Sequence, residues 1–241
     1  MAKWLEARVL ENRHWTDALF SLRVEAPRLS FEAGQFVRIA LEETLARPFS
    51  FVNPPEDPVH EFYGIVVPEG PLSPRLAQLR AGDRLLVASN PAGFLVLSEV
   101  PDADTLWLVS TGTGIAPFLS ILRTDTPWRR FRSVVLVHAV RHARELVYGE
   151  LIRKLSQQHA LRYVSFVSRE AAPGSLAGRI PAALRDGRME KAAGLALEGN
   201  SHVMLCGNPD MLKDTQAVLV ERGSRKHRRR NPGHITVESF W

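Results

Sequence analysis

The chain has 241 residues, 45% of them hydrophobic and 24% charged, with a formal net charge of +5 at pH 7 and one cysteine. Such a length suits two domains or one large one, and the composition is that of a soluble globular protein. A single thiol excludes an internal disulfide and an iron–sulfur cluster held by several thiolates of this chain, while the positive balance favours an acidic partner, whether protein, nucleotide or nucleic acid.

Residues 1–8 carry no apolar run of the signal-peptide kind, and no later stretch is long enough to span a bilayer. A cytoplasmic location without a membrane partner is therefore expected. From residue 5 to about 89, β-rich runs at 6–10, 18–24, 35–41, 49–52, 61–67 and 84–88 alternate with turn residues, the spacing of an antiparallel barrel or sandwich. The reading adopted is a small β-barrel. Ser73 and Pro74 supply an N-cap and a first-turn proline for one short helix carrying Leu76 and Leu79, which Gly82 ends.

Two stretches of this half invite a ligand. In Arg47-Pro48-Phe49-Ser50-Phe51-Val52-Asn53, alternation puts Arg47, Phe49 and Phe51 on one face and Ser50 and Val52 on the other, unless the proline introduces a bulge. This is either a core strand with a capping arginine or a platform on which a flat cofactor stacks against Phe49, its phosphate met by Arg47 and its reactive edge near Ser50. Gly70-Pro71-Leu72-Ser73 precedes the helix, so it is either an anion site or a plain turn.

Residues 97–104 are polar apart from the apolar Leu97, Val100 and alanine, and they carry a proline, marking a boundary between domains 1–98 and 99–241. Beyond it, apolar strands at 106–109, 134–137, 161–167 and 203–206 alternate with helices at 115–123, 144–155, about 181–184 and 209–221, before a last strand at 235–241. That alternation predicts a five-stranded parallel α/β sandwich with ligands at the C-terminal ends of its strands. The glycine turn Thr111-Gly112-Thr113-Gly114-Ile115-Ala116-Pro117-Phe118 lies at such an end and reads as a pyrophosphate cradle or as an empty turn. It departs from Gly-x-Gly-x-x-Gly because Pro117 occupies the third glycine's place.

The strand at 134–137 is followed by His138 and Arg141, with no acid before Glu145, and arginine there suits a 2′-phosphate, which favours NADP over NAD. Ser168-Arg169-Glu170 and Arg179 repeat the theme. Each arginine alone is a solvated surface residue; three at or near consecutive strand ends favour one phosphate site. Asn208 and Pro209 start the last helix as cap and first residue. Cys206 is either a small buried apolar residue or part of a site. The basic run 222–230 reads as a solvated or flexible segment, or one that docks an acidic surface or nucleic acid. Phe240 and Trp241 close the chain in a way that suggests a tied-down end.

Taken together, Arg47–Ser50, Gly70–Leu76, Thr111–Phe118, Val167–Glu170 and Cys206–Pro209 resemble the bacterial ferredoxin/flavodoxin–NADP reductases nearly end to end, and the final tryptophan resembles their compact branch. The resemblance implies FAD in the barrel and NADP(H) in the α/β domain, with hydride transfer between nicotinamide C4 and flavin N5. It places Arg47, Pro48, Phe49, Ser50, Tyr63, Gly64, Ile65, Val66, Pro71, Leu72, Ser73 and Thr113 on FAD, with Phe240 and Trp241 over the flavin's other face and its adenine, in either order. It places Gly112, Gly114, Arg141, Ser168, Arg169, Arg179 and Asp214 on NADP. Ser50, Cys206 and Glu238 become the candidate catalytic residues, and no metal is implied. The family's stacking and penultimate tyrosines are Phe49 and Phe240 here, which keeps the rings and removes two hydroxyls.

The implied partner is ferredoxin or flavodoxin docking on a basic surface, the protein being a monomer that binds no nucleic acid. Two alternatives stay open: the reductase component of an oxygenase or a free-flavin reductase on the same scaffold, and a basic nucleic-acid-binding module resting on residues 222–230.

Overall fold

A computed structural model describes residues 3–239, so the expectations for Phe240 and Trp241 lie outside the described residues. The chain forms two compact units: unit 1 runs up to Val96 and adds Ala116–Thr124, and unit 2 takes Leu97–Ile115 and the chain from Asp125 onward.

Unit 1 is an antiparallel sheet of β1 (Trp4–His14), β2 (Leu19–Glu25), β3 (Phe36–Ala40), β4 (Ala46–Ser50), β5 (Val59–Ile65) and β6 (Arg84–Ala88), in the order β4-β3-β6-β1-β2-β5. A bridge between Phe51 and Phe62, with the Val52 N–H on the Glu61 carbonyl at 2.8 Å, joins the two outer strands into a nearly closed barrel. Closure leaves few unpaired strand edges. The expected alternation is plain in β2, where Phe20, Leu22 and Val24 enter the core while Arg23 and Glu25 face water.

Helix α1 (Ser73–Ala77) begins differently from the expectation, because Leu72, buried in the core, takes the cap position. The Ser73 hydroxyl turns back instead to accept the Val67 N–H at 2.9 Å. At the other end, the Asn12 side chain donates to the carbonyls of Leu76, Ala77 and Leu79, which fastens the C-terminal end of the helix to β1. Helix α2 (Ala116–Leu122) is buried throughout and belongs to unit 1, although the sequence places it among elements of the second half. Its Ser120 hydroxyl donates to the Asn53 carbonyl at 2.7 Å, and Arg123 just beyond it donates to the Val52 carbonyl and pairs with Asp57 and Glu61.

Unit 2 holds β7 (Thr105–Thr111), β8 (Ser133–Val140), β9 (Leu161–Val167), β10 (Leu176–Ala177), β11 (Ser201–Gly207) and β12 (Ile235–Ser239), all parallel in the order β10-β9-β8-β7-β11-β12. The sheet has six strands rather than the expected five, since β10 is two residues long and too short to leave a periodic pattern. Helices α3 (Thr126–Arg130), α4 (Gly149–Gln158), α5 (Ile180–Arg185), α6 (Arg188–Ala193) and α7 (Pro209–Glu221) accompany it. The helix expected over 144–155 is divided: a 3-10 turn at Ala143–Glu145 is followed by Tyr148 at φ 61, and α4 begins only after it. Asn208 caps α7 as its position predicts, accepting the N–H groups of Asp210 at 3.0 Å and Met211 at 3.2 Å.

The boundary stretch after Val96 and the basic run 222–230 are both fastened to unit 2. Leu97 and Val100 are buried, and the Arg130 guanidinium donates to the carbonyls of Leu97, Val100 and Pro101. In the basic run, the His227 N–H reaches the Ile235 carbonyl at 2.7 Å and Arg229 pairs with Glu99 at 2.8 Å. Among the described residues, no helix is long and apolar enough to cross a membrane.

Candidate functional site

In unit 1, pairing with β3 sets β4 so that Arg47 lies opposite Ile39, Phe49 opposite Val37 and Ser50 opposite Phe36. Arg47 and Pro48 are exposed, Phe49 is half-buried and Ser50 is buried. Phe51 does not share an open face with Phe49: the strand ends at Ser50, the bridge to Phe62 turns Phe51 into the barrel, and its ring stacks on Phe31 at 3.9 Å. The Ser50 Oγ is buried without a hydrogen-bond partner among the described residues. An oxygen so placed is costly unless a ligand completes it.

The Phe49 ring lies against β5, which carries Tyr63, Gly64 and Ile65 and runs on to Val66. A methyl group on Gly64 would stand 2.8 Å from the Phe20 ring and 3.0 Å from that of Phe49, so glycine sets how closely the ring approaches the strand. Pro71 is exposed and Leu72 buried, while the Ser73 hydroxyl, accepting from Val67, keeps its own proton to donate.

In unit 2 the glycine stretch leaves β7 as a 3-10 turn at Gly112–Ile115, with Gly112 at φ 53 and Thr113 half-buried. Its backbone lies against β11: a Cβ on Gly114 would stand 2.6 Å from the Cys206 carbonyl oxygen. Gly207, at φ 131, packs as closely on Thr111, whose hydroxyl accepts the Asn208 N–H at 2.9 Å. The ends of β7 and β11 therefore interlock through two glycines. Pro117 falls inside α2, so it belongs to a turn of a different kind from the three-glycine fingerprint.

Cys206 lies in register with Ser110 on one side and Glu238 on the other. Burial, and then the nearby Glu238 carboxyl, push its thiol well above the ordinary range, so it is neutral. Burial also raises Glu238 to about 7, and its Oε1 has no hydrogen-bond partner among the described residues.

His138 is not in the loop after the strand but within β8, fully buried, with Nε2 3.0 Å from the Gly112 carbonyl oxygen. Burial lowers it to about 4. Sequence reasoning gave it no role, though an imidazole inside Val134-Val135-Leu136-Val137-His138-Ala139-Val140 was the available signal.

Three loops at the C-terminal ends of β8, β9 and β10 carry the arginines. The Ser168 N–H and hydroxyl both reach the Val140 carbonyl, the Arg169 N–H reaches the Arg141 carbonyl at 2.9 Å, and the Gly178 N–H reaches the Val167 carbonyl at 3.3 Å. Arg179 follows directly as the residue before α5. Arg141, Arg169 and Arg179 are exposed, and none has a carboxylate partner among the described residues, in contrast to Arg8, Arg75, Arg188 and Arg229. The nearby acids bind backbone instead. Glu145 accepts the N–H groups of Arg141 and His142, and Glu170 accepts that of Ala143, a hydrogen bond that holds its carboxyl below the usual range. Asp214 sits apart on the exposed face of α7.

Residues 108–217 match the oxidoreductase NAD-binding domain family. A flavodoxin/ferredoxin–NADP reductase of Escherichia coli (strain K12) is 50% identical, with 100% of each chain covered. The chain belongs to the flavodoxin/ferredoxin–NADP reductase family. The Shigella flexneri reductase of that name is 51% identical over 100% of both chains. A ferredoxin NADP+ reductase from Neisseria gonorrhoeae, solved with bound FAD and NADP, matches the fold with a TM-score of 0.95 at 35% identity, again over 100% of each chain.

Proposed function

We propose that this member of the reductase family binds FAD on unit 1 and NADP(H) on unit 2, and moves electrons between NADP(H) and ferredoxin or flavodoxin. The domain limits 1–98 and 99–241 are kept for these roles, with helix α2 reassigned to the flavin unit. The observation that carries the reading is the set of three exposed arginines at adjacent strand ends without carboxylate partners, in a chain of this family. Guanidinium groups left unpaired beside loops that acids have already fastened suit a dianionic phosphate.

Bound FAD would supply hydride exchange with NADP(H) and single-electron exchange with the carrier. The chain supplies position and charge. Phe49 offers a ring to stack on, Arg47 a cation for phosphate, and Ser50 a hydroxyl whose orphaned oxygen awaits a partner at the flavin edge. Pro48 and the stretch Tyr63, Gly64, Ile65 and Val66 run beside the isoalloxazine, while Pro71, Leu72 and Ser73 present backbone and hydroxyl donors to pyrophosphate. Thr113 in the glycine turn offers a further hydroxyl for cofactor binding. Gly112 and Gly114 let backbone approach the NADP pyrophosphate, and Arg141, Ser168, Arg169 and Arg179 hold the 2′-phosphate, with Asp214 on the adenosine side.

Cys206 presents a neutral thiol to the nicotinamide. Glu238, poised near 7, holds or releases a proton beside it. An acidic carrier suits the +5 chain, so association weakens as salt rises. The protein acts as a monomer in the cytoplasm.

The test is the visible spectrum of the purified protein before and after anaerobic NADPH, followed by turnover with ferredoxin or flavodoxin. A flavin spectrum that bleaches and supports carrier reduction is expected. A colourless protein that cannot be reconstituted with FAD overturns the reading, and turnover confined to free flavin would assign the chain to the free-flavin branch of the scaffold.

A further inference from the structure

We infer that His138 is the positioning residue of the glycine turn, its buried imidazole holding the Gly112 carbonyl inward so that the following N–H faces the NADP pyrophosphate. The inference rests on the NADP(H) reading of the turn. In β8 the imidazole replaces what the surrounding strand would fill with an aliphatic side chain, and burying a polar ring is unfavourable unless hydrogen bonding offsets it. The offset is a single contact, Nε2 to the Gly112 oxygen at 3.0 Å, while Nδ1 is buried without a partner among the described residues. A carbonyl oxygen only accepts, so Nε2 carries the proton and the ring is the neutral tautomer that donates from that nitrogen. Burial keeps it neutral, since its pKa lies at about 4.

The geometry of a trans peptide does the rest. The C=O of Gly112 and the N–H of Thr113 belong to one planar unit and point in opposite directions. An oxygen drawn inward toward β8 therefore sends the Thr113 N–H outward. The turn needs this restraint, because Gly112 at φ 53 has open space around its Cβ position and no side chain of its own to limit rotation. On the far side Gly114 packs closely on Cys206, so within the 3-10 turn the peptide between Gly112 and Thr113 is the part that the His138 side chain braces from below.

The experiment compares His138→Leu, His138→Gln and His138→Asn in the FAD-loaded full chain. The readouts are the NADP+ dissociation constant from the flavin difference spectrum, and KM and kcat for NADPH with ferricyanide as acceptor. Glutamine places an N–H near the Nε2 position and asparagine falls short of it. Leucine and asparagine are expected to raise the NADP+ dissociation constant and KM about tenfold, with kcat at saturating NADPH within about twofold, and glutamine to restore both to within about threefold, as one positioning hydrogen bond implies. If leucine does not fold, the glutamine and asparagine pair decides. Equal affinity in all variants overturns the assignment, as does equal loss in glutamine and asparagine, or a fall in kcat without a change in KM. Parent protein that holds flavin but does not bind NADP+ would instead overturn the NADP(H) reading itself, and is measured first.

Discussion

Replacing Gly207 by alanine tests the interlock between the ends of β7 and β11. At φ 131 the backbone is in a region that residues with a side chain rarely adopt, and strain of this kind costs on the order of 1–3 kcal/mol. The added methyl would overlap the Thr111 hydroxyl and stand 2.8 Å from its carbonyl oxygen and 3.0 Å from its amide nitrogen. Two of those three atoms are backbone of a central strand, which cannot rotate aside, so overpacking adds about 1–3 kcal/mol. The displaced hydroxyl would also release the Asn208 N–H that it accepts at 2.9 Å.

The sum is on the order of 2–6 kcal/mol, and for a chain of this size each kcal/mol lowers Tm by about 2–4 °C, so a fall of at least ~4 °C is expected. Differential scanning calorimetry measures it, with Gly149→Ala as control, since nothing lies within 4 Å of a Cβ there. Because the glycine turn leans on the same strand end, weaker NADP+ binding should accompany the loss. A Gly207→Ala protein that melts within about 1 °C of the control would refute the reasoning.

Other outcomes follow from the same geometry. Glu238 is raised from 4.5 to about 7, so the folded state binds the extra proton; this stability is fully present below pH 4.5 and is lost as pH rises through about 7. Glu238→Gln should gain on the parent across that window by ~3 kcal/mol at most, read as a Tm difference that widens from pH 5 to pH 8. Arg169→Ala should weaken NADPH far more than NADH; equal losses in KM for the two would remove it from the 2′-phosphate. Asn208→Ala forfeits a cap with two hydrogen bonds and should cost about 1 kcal/mol, or ~2–4 °C. Arg130→Ala frees three carbonyls of the 97–101 segment, and limited proteolysis should then cut there faster than in the parent.

What the sequence made legible was whatever rests on local chemistry or period. The barrel strands, the parallel strands and the Asn208 cap needed only alternation, apolar runs and a capping oxygen followed by proline. Features decided by distant packing were not readable in this way. Ser73 has the chemistry of a cap, yet the burial of Leu72 moved the helix start, and Phe51 left the face of Phe49 because barrel closure needed it against Phe31. Strand β10 and helices α3 and α6 are too short to show a period. Tyr148 divides a stretch that reads as one helix, since nothing in its side chain announces a positive φ. At the candidate site the unpaired arginines were visible as residue types at strand ends. The acids that fasten their loops, and the imidazole beneath the glycine turn, depend on contacts that no spacing encodes.

The placement of α2 has a consequence for anyone who wishes to divide this protein. Because Ala116–Thr124 completes unit 1 from within the sequence of unit 2, separating them takes three junctions rather than one. A fragment ending at Val96 would lack the Ser120 hydroxyl and Arg123 guanidinium that satisfy the carbonyls of Asn53 and Val52. During synthesis, too, the first unit cannot finish its core when its own strands have emerged. It must wait until β7 and the glycine turn have followed, so the flavin unit matures only after part of its neighbour has been made.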